Sequence, residues 1–274
     1  MDVATAYDGL AHRWDIGAGH VYRPLARALV AASPIPIDGR LVLDAGSGTG
    51  AIAEAAAGRG ARIVAADRAA SMVAYQGTQR WPGIAADVLA LPFRGGAFDV
   101  AFAGFLLNHL APDRSLAELA RVVRPGGAVL ASTWAVGEPD PVKASIDAVI
   151  TSSGWIPPAW YRALKTEVDP VAGDPEALAA AAEHASLTEV RATICREDLK
   201  VRDPGLAVAY RLSMPHIAPW LSSLQESAAA QVTGEAMAAV TPHLRCWRPA
   251  VIVLVGRVVA HPNLRAADRS KAAR

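Results

Sequence analysis

The sequence predicts an α/β protein: a doubly wound, mostly parallel sheet of seven strands, the last antiparallel, with helical cap insertions. Three observations predict it. Short apolar runs alternate with helically periodic segments between residues 41 and 133, the pattern of βαβ crossovers that cover both faces of a parallel sheet. A glycine-rich turn, Gly46-Ser47-Gly48-Thr49-Gly50, directly follows the first apolar run. A β-branched run, Pro249–Val259, comes after a long and mostly helical stretch and supplies the late strand.

Taken in order, residues 7–32 read as a helix that Ser33-Pro34-Ile35-Pro36 ends, because proline removes a donor and restricts its predecessor. Arg40–Leu43 is a strand, Gly46–Gly50 a turn, and Ala51–Gly58 an alanine-rich helix closed by glycines. Arg62–Ala66 is the second strand, ending at Asp67, and Ser71–Gln79 a helix. Ile84-Ala85-Ala86 is a weak third strand ending at Asp87, and Phe98–Ala103 a fourth. Ser115–Arg124 is a strongly periodic helix, Pro125-Gly126-Gly127 a turn, and Ala128–Thr133 the fifth strand. Beyond Trp134 the pattern loosens into a Pro-, Gly- and aromatic-rich stretch at 135–174, with a helix near Val142–Ile150. Helix Pro175–Ala185, strand Glu189–Lys200 and a mostly helical 204–241 follow.

One domain is expected over 1–260. It divides into an N-terminal helical lid (1–36), a ligand-binding core (37–134), cap insertions at 135–174 and 204–247, and a flexible tail at 261–274. The chain is 52% hydrophobic and 19% charged, which excludes a disordered class, and its net charge of +1 gives no field to attract nucleic acid or an acidic membrane. The N-terminus does not read as a signal peptide, and no apolar run is long enough to span a bilayer. The expectation is a soluble cytoplasmic protein, monomer or homodimer, with no nucleic-acid or membrane partner. Cys195 and Cys246 are expected as buried free thiols, and the histidines lack metal-ligand spacing.

Three glycines in five residues after a buried strand let a ligand lie against backbone without Cβ atoms, at the partly positive start of a helix. Taken alone, the turn is also compatible with no ligand. Gly46-x-Gly48-x-x-Ala51 formally fits the looser dinucleotide fingerprint as well. Asp44 before the glycines, the absence of an obvious second nucleotide-binding half, and the late strand argue against a nicotinamide or flavin.

From about Tyr7 to Ser132 the chain resembles the class I S-adenosylmethionine-dependent methyltransferases of the small-molecule, ubiquinone/menaquinone-methyltransferase-like type. The resemblance is carried by Val42-Leu43-Asp44-Ala45-Gly46-Ser47-Gly48-Thr49-Gly50, Asp67 with Ser71-Met72, and Asp87 with Leu91-Pro92-Phe93. Phe98-Asp99-Val100 through Asn108-His109-Leu110, and Leu119 through Gly127, complete it. It implies a Rossmann-like fold, S-adenosylmethionine as cofactor and S-adenosylhomocysteine as product. The cofactor contacts it implies are Asp44, Ala45, Gly46, Ser47 and Gly48, then Asp67, Arg68, Met72, Asp87, Val88, Gly104 and Phe105. Among these, Asp67 would take the ribose hydroxyls, Met72 would pack beside the adenine, and Asp87 would accept from the adenine amino group.

Tyr7 and Tyr22 fall on the N-terminal segment that closes over the cofactor in similar enzymes. Tyr7, Trp134, Trp160, Tyr161 and Tyr210 are the candidate substrate contacts, since rings in insertions suit a hydrophobic or aromatic small molecule. His109, Tyr22 and His216 are the candidates for a general base, needed only if the acceptor is a hydroxyl or an acidic carbon. The expected function is direct methyl transfer to such a molecule in specialised metabolism, with catalysis chiefly by positioning. Two alternatives stay open: a cyclase or rearrangement catalyst using the sulfonium charge on the same fold, and a non-catalytic cofactor-binding module.

Overall fold

The computed structural model describes residues 6–75 and 81–259. Its centre is a seven-stranded sheet: β1 Leu41–Ala45, β2 Arg62–Asp67, β3 Gly83–Ala85, β4 Phe98–Gly104, β5 Val123–Trp134, β6 Leu187–Cys195 and β7 Val251–Val258. The order is β3-β2-β1-β4-β5-β7-β6. The first five strands run parallel, and β7 runs antiparallel to both β5 and β6. The doubly wound sheet with an antiparallel last strand is therefore the fold.

Strand alternation sorts the core into two layers. Leu43, Ala101, Ala103, Val129, Ala131, Ile252 and Leu254 face α4 (Pro112–Val122) and α8 (Pro175–His184) through Leu116, Leu119, Leu178 and Ala182. Val42, Val100, Phe102, Leu130, Val253 and Val255 face α1 (Ala11–Ala31) and α2 (Ala51–Ala57) through Leu29, Val30, Ile52 and Ala56. This period of two, with both faces buried, is what a covered parallel sheet requires.

The region after Trp134 is helical. It holds α5 Pro141–Ser152, α6 Ala159–Glu167, the short α7 Asp169–Ala172, and, after β6, α9 Pro204–Leu212, α10 Ala218–Ser223 and α11 Glu226–Val240. Both insertions share one apolar cluster with α1, in which Val21 and Leu25 meet Val142, Ile146, Ile150, Val208, Val232 and Ala236. Thus the N-terminal helix packs on the sheet with one part and on the cap with another. A short α3, Ala70–Tyr75, meets α1 through Met72 and Ala11.

Three readings of the sequence need correction. The segment Pro125-Gly126-Gly127 is not a turn before β5 but an irregularity inside it. Phe98 pairs with Val123, then the register shifts to Val100 with Ala128, and Gly126 adopts φ +80°. A Cβ on Gly127 would lie 2.4 Å from the Asp99 carbonyl, so only glycine fits where the two strands close up. Strand β6 ends at Cys195 rather than Lys200. Cys246 is exposed and Cys195 half-buried, so neither thiol is buried, though both are free. The helix expected at Ser71–Gln79 is described as far as Tyr75; its last residues, and the tail at 261–274, lie outside the described residues. No described helix is long and apolar enough to cross a membrane.

Candidate functional site

The carboxyl ends of β1, β2 and β4 come level at one edge of the sheet, where Ala45 pairs with Ala66 and Gly104 with Ser132. Strand order reverses between β1 and β4, the crevice in which doubly wound sheets take ligands. A pocket opens there, with walls from Gly46-Ser47-Gly48, Asp67-Arg68, Met72, Asp87-Val88 and Gly104-Phe105. Tyr7, Tyr22 and His109 also line it.

The floor is built by the glycine turn. Gly46, Gly48 and Gly50 all have positive φ (+68°, +51° and +93°), a conformation that costs other residues energy. A Cβ on Gly46 would lie 2.7 Å from Leu106, whereas one on Gly48 would meet nothing within 4 Å and point into open space. Gly46 is therefore required by packing, and Gly48 by conformation and by whatever lies against it. The Ser47 hydroxyl is buried without a partner on this surface.

Asp44 and Ala45 lie beneath this floor rather than on the pocket wall. Asp44 is 1% exposed, and its Oδ2 accepts from the Ala53 N–H at 2.9 Å, bracing the first turn of α2. Its Oδ1 has no partner, and burial raises its pKa to about 7 against the help of that N–H. Asp67 sits at the end of β2, with Oδ2 accepting from the Gly48 N–H at 2.8 Å and Oδ1 from Ala69 at 2.9 Å. The Arg68 N–H also reaches this carboxylate, which fixes the turn and keeps acceptor capacity for a ligand. Burial raises its pKa, and these N–H groups oppose the shift. Asp87 caps a short 3-10 turn, its Oδ1 accepting from Leu89 at 2.9 Å, with Oδ2 left over.

The roof is aromatic. Trp14 and Tyr22 are 8 residues apart on α1, about two helical turns, and so share one face; Tyr7 reaches the same row from the segment before α1. Trp14 stacks on Tyr22 at 5.2 Å and meets Tyr7 edge-on at 5.2 Å. The Tyr7 hydroxyl lies 3.1 Å from His109 Nε2. Phe105, at the end of β4, takes φ +57°, a strained value for an aromatic residue. The turn places its ring 5.0 Å from Tyr22 and 4.5 Å from Trp134. Trp14 was not among the residues singled out from the sequence, although its spacing from Tyr22 on the same helix carries the signal. Arg23, which also lines the pocket and pairs with Asp15 and Glu54, offered no such signal.

The three base candidates differ in placement. Burial, with Lys165 nearby, lowers the His109 pKa to about 4, so the ring is neutral, and its Nδ1 is buried without a partner. Burial raises the Tyr22 hydroxyl to about 12, so it stays protonated. His216 lies outside this pocket, inside the cap, stacked on Tyr161 at 3.8 Å. Arg211 Nη1 is 3.1 Å from its Nε2. A guanidinium only donates, so that nitrogen is an acceptor already in use and the ring is neutral. Desolvation and Arg211 both push its pKa down.

Trp134 and Tyr210 stand on the far side of Tyr22, 6.1 and 6.0 Å from it, and face a second cleft. Trp160 and Tyr161 pack around His216. The five aromatic substrate candidates thus fall into one group at the pocket (Tyr7), one at the partition (Trp134, Tyr210) and one within the cap (Trp160, Tyr161).

Residues 43–131 match the family profile described as Methyltransferase domain, and the sheet has the Rossmann-like arrangement of the methyltransferase structures that it is similar to. Among particular proteins, the chain is similar to demethylmenaquinone methyltransferase of Mycolicibacterium gilvum, at 35% identity over 134 residues, covering 46% of this chain and 57% of that one. The enzyme of the same name from Mycobacterium tuberculosis is 34% identical over 137 residues, covering 47% and 57%. The chain thus spans little more than half the length of these relatives. In fold it is similar to a putative methyltransferase from an antibiotic biosynthesis pathway of Anabaena variabilis (TM-score 0.61, 14% identity, covering 84% of this chain and 96% of that one). It is similar too to phosphoethanolamine N-methyltransferase 2 of Haemonchus contortus, a structure with S-adenosylhomocysteine (TM-score 0.56, 14% identity, covering 86% and 53%).

Proposed function

We propose that this protein is an S-adenosylmethionine-dependent methyltransferase acting on a hydrophobic or aromatic small molecule, in specialised metabolism. The observation that carries the reading is Asp67: a carboxylate at the end of β2, locked to the glycine turn through the Gly48 N–H and still able to accept from a vicinal diol. Its surroundings fit the rest of an adenosyl sulfonium. Met72 and Val88 offer apolar faces to a planar base, Asp87 has an oxygen left for an amino group, and the unpartnered Ser47 hydroxyl and the open space above Gly48 face the same volume. That the matched relatives and fold neighbours are named as methyltransferases supports it.

When bound, the cofactor supplies an electrophilic methyl group. The chain's own residues then have three tasks. Asp67 and Asp87 hold the nucleoside; Tyr7, Trp14, Tyr22 and Phe105 exclude water from the far end; and the aromatic partition orients the acceptor. None of the base candidates is tuned for strong proton abstraction. His109 is held neutral with a low pKa, Tyr22 stays protonated, and the His216 nitrogen is spent on Arg211. Positioning therefore dominates, and His109 is the group left to take a proton from an acidic acceptor.

Titration calorimetry with S-adenosylmethionine and S-adenosylhomocysteine tests the reading. Both should bind the wild type, and Asp67→Ala should weaken them by about 10- to 100-fold, the worth of hydrogen bonds to a charged acceptor. Absence of binding, or an Asp67→Ala variant with wild-type affinity, overturns it.

A further inference from the structure

Beyond the aromatic partition lies a second cleft, between the residues after β5, the first turns of α5 and Pro249-Ala250. The two cavities are one ring apart. Tyr22 and Phe105 line the first, Trp134 and Tyr210 line the second, and Phe105 and Trp134 are in contact at 4.5 Å.

The charges in this cleft are unevenly used. Its three carboxylates are engaged: Glu138 by Arg196, Asp147 by both arms of Arg211 (2.5 and 2.9 Å), and Asp140 by the Trp247 indole N–H at 3.2 Å and the Lys143 backbone N–H at 3.1 Å. The Lys143 ammonium, by contrast, makes no hydrogen bond or ion pair to a described residue, although its side chain is half-buried beside Trp134 and Tyr210. Its three donors are the unspent polar capacity of the cleft.

We propose that this cleft seats the methyl acceptor through an anionic group, a carboxylate on a planar aromatic body, with Lys143 as its counter-ion and Trp134 as its stacking face. The inference rests on reading the first pocket as the methyl-donor site. A cationic group would find every carboxylate already taken. A phosphate dianion would bring two charges to one ammonium among three carboxylates, whereas a carboxylate matches it.

The groups that set the charge of Lys143 come from every side. Burial, Arg211 of α9 and Lys165 of α6 push its pKa down to about 8, while Asp147 and Asp140 oppose them. Glu138, Tyr210 and the neutral His216 complete the surroundings. Lys143 therefore keeps its charge at pH 7 and loses it above pH 8, where an anion should lose its anchor.

The test titrates 2-naphthoate and its neutral isostere 2-naphthamide into the full chain, with and without saturating S-adenosylhomocysteine. At pH 7 the naphthoate should bind at least ~10-fold more tightly, the worth of one charge-assisted pair. Lys143→Met should erase the preference, Lys143→Arg should retain it, and the preference should decline above pH 8. Affinity for S-adenosylhomocysteine should be unchanged in Lys143→Met, which shows that the variant is folded. Naphthoate that binds no better than naphthamide, or a preference that survives Lys143→Met, overturns the proposal. Because the preference is also measured without S-adenosylhomocysteine, failure of the donor-site reading shows separately, as absence of S-adenosylhomocysteine binding.

Discussion

The Tyr7 hydroxyl lies 3.1 Å from His109 Nε2, joining the segment before α1 to the residues after β4 across the mouth of the pocket. The two are 102 positions apart in the chain, so the contact exists only when the N-terminal segment is down. Tyr7 touches Trp14 edge-on, and Trp14 stacks on Tyr22, so the latch holds a row of three rings. Removing the hydroxyl while keeping the ring should release the latch without opening a cavity. Tyr7→Phe is expected to weaken S-adenosylhomocysteine binding by about 2- to 10-fold, the worth of one hydrogen bond, with the loss in the dissociation rate. Stopped-flow displacement measures it, and an unchanged dissociation rate removes the latch from the account.

His109 should make the protein sensitive to acid. Its ordinary pKa of 6.5 falls to about 4 on folding. Between those values the unfolded chain binds a proton that the folded chain does not, so stability rises with pH there and is lost as pH falls from 6.5 towards 4. The loss should amount to about 1–3 kcal/mol, after allowance for the partial exposure of the ring. Urea unfolding of the ligand-free wild type and of His109→Gln at pH 6.5 and 4.5 should show it as a difference between the two, the wild type losing stability relative to the variant as pH falls.

Asp44 should act with the opposite sign. Its pKa rises from 3.8 to about 7 on folding, chiefly through burial. In that interval the folded chain binds the extra proton, so stability falls as pH rises through it, and the cost is complete above pH 7. Asp44→Asn keeps the shape and an acceptor for the Ala53 N–H without the buried charge. It is expected to be more stable than wild type by about 1–3 kcal/mol at pH 8 and equal to it at pH 4. Because His109 and Asp44 slope oppositely over the same range, the wild-type profile is the flatter one. Each effect is exposed only in the single variants, and equal stabilities at pH 8 would disprove the assignment for Asp44.

The sheet and the glycine turn were legible because their signals are local. Val42-Leu43 and Val100–Ala103 are apolar in a period that only a doubly covered strand satisfies, and the glycine turn needs φ values that few other residues adopt. Pro125-Gly126-Gly127 misled for the same reason: a local turn signal was outvoted by the pairing of Val123 with Phe98 across 25 residues of chain (123 − 98). The cap was legible only as composition. His216 drew notice as a possible base, yet its neighbours Tyr161 and Arg211 come from different helices, and only their packing reveals that its nitrogen is occupied. Lys143 drew none, because a lysine in the first turns of a helix looks solvated until Trp134 and Tyr210 are brought beside it.

Two glycines of the floor should separate packing from ligand contact. Both Gly46 and Gly48 have positive φ, so alanine at either costs about 1–2 kcal/mol of backbone strain. At Gly46 the added methyl also meets Leu106 Cδ1 at 2.7 Å, and Leu106 must move. At Gly48 it meets no protein atom within 4 Å and enters the pocket beside Asp67, whose oxygen holds the Gly48 N–H. Gly46→Ala should therefore lower Tm the more, by about 5–10 °C, against about 2–6 °C for Gly48→Ala. Gly48→Ala should nevertheless weaken S-adenosylhomocysteine by at least about tenfold, because its methyl occupies ligand space. Thermal scans and calorimetry on the two variants read both quantities. A Gly48→Ala protein that binds as wild type would mean that the turn is shaped for the fold alone.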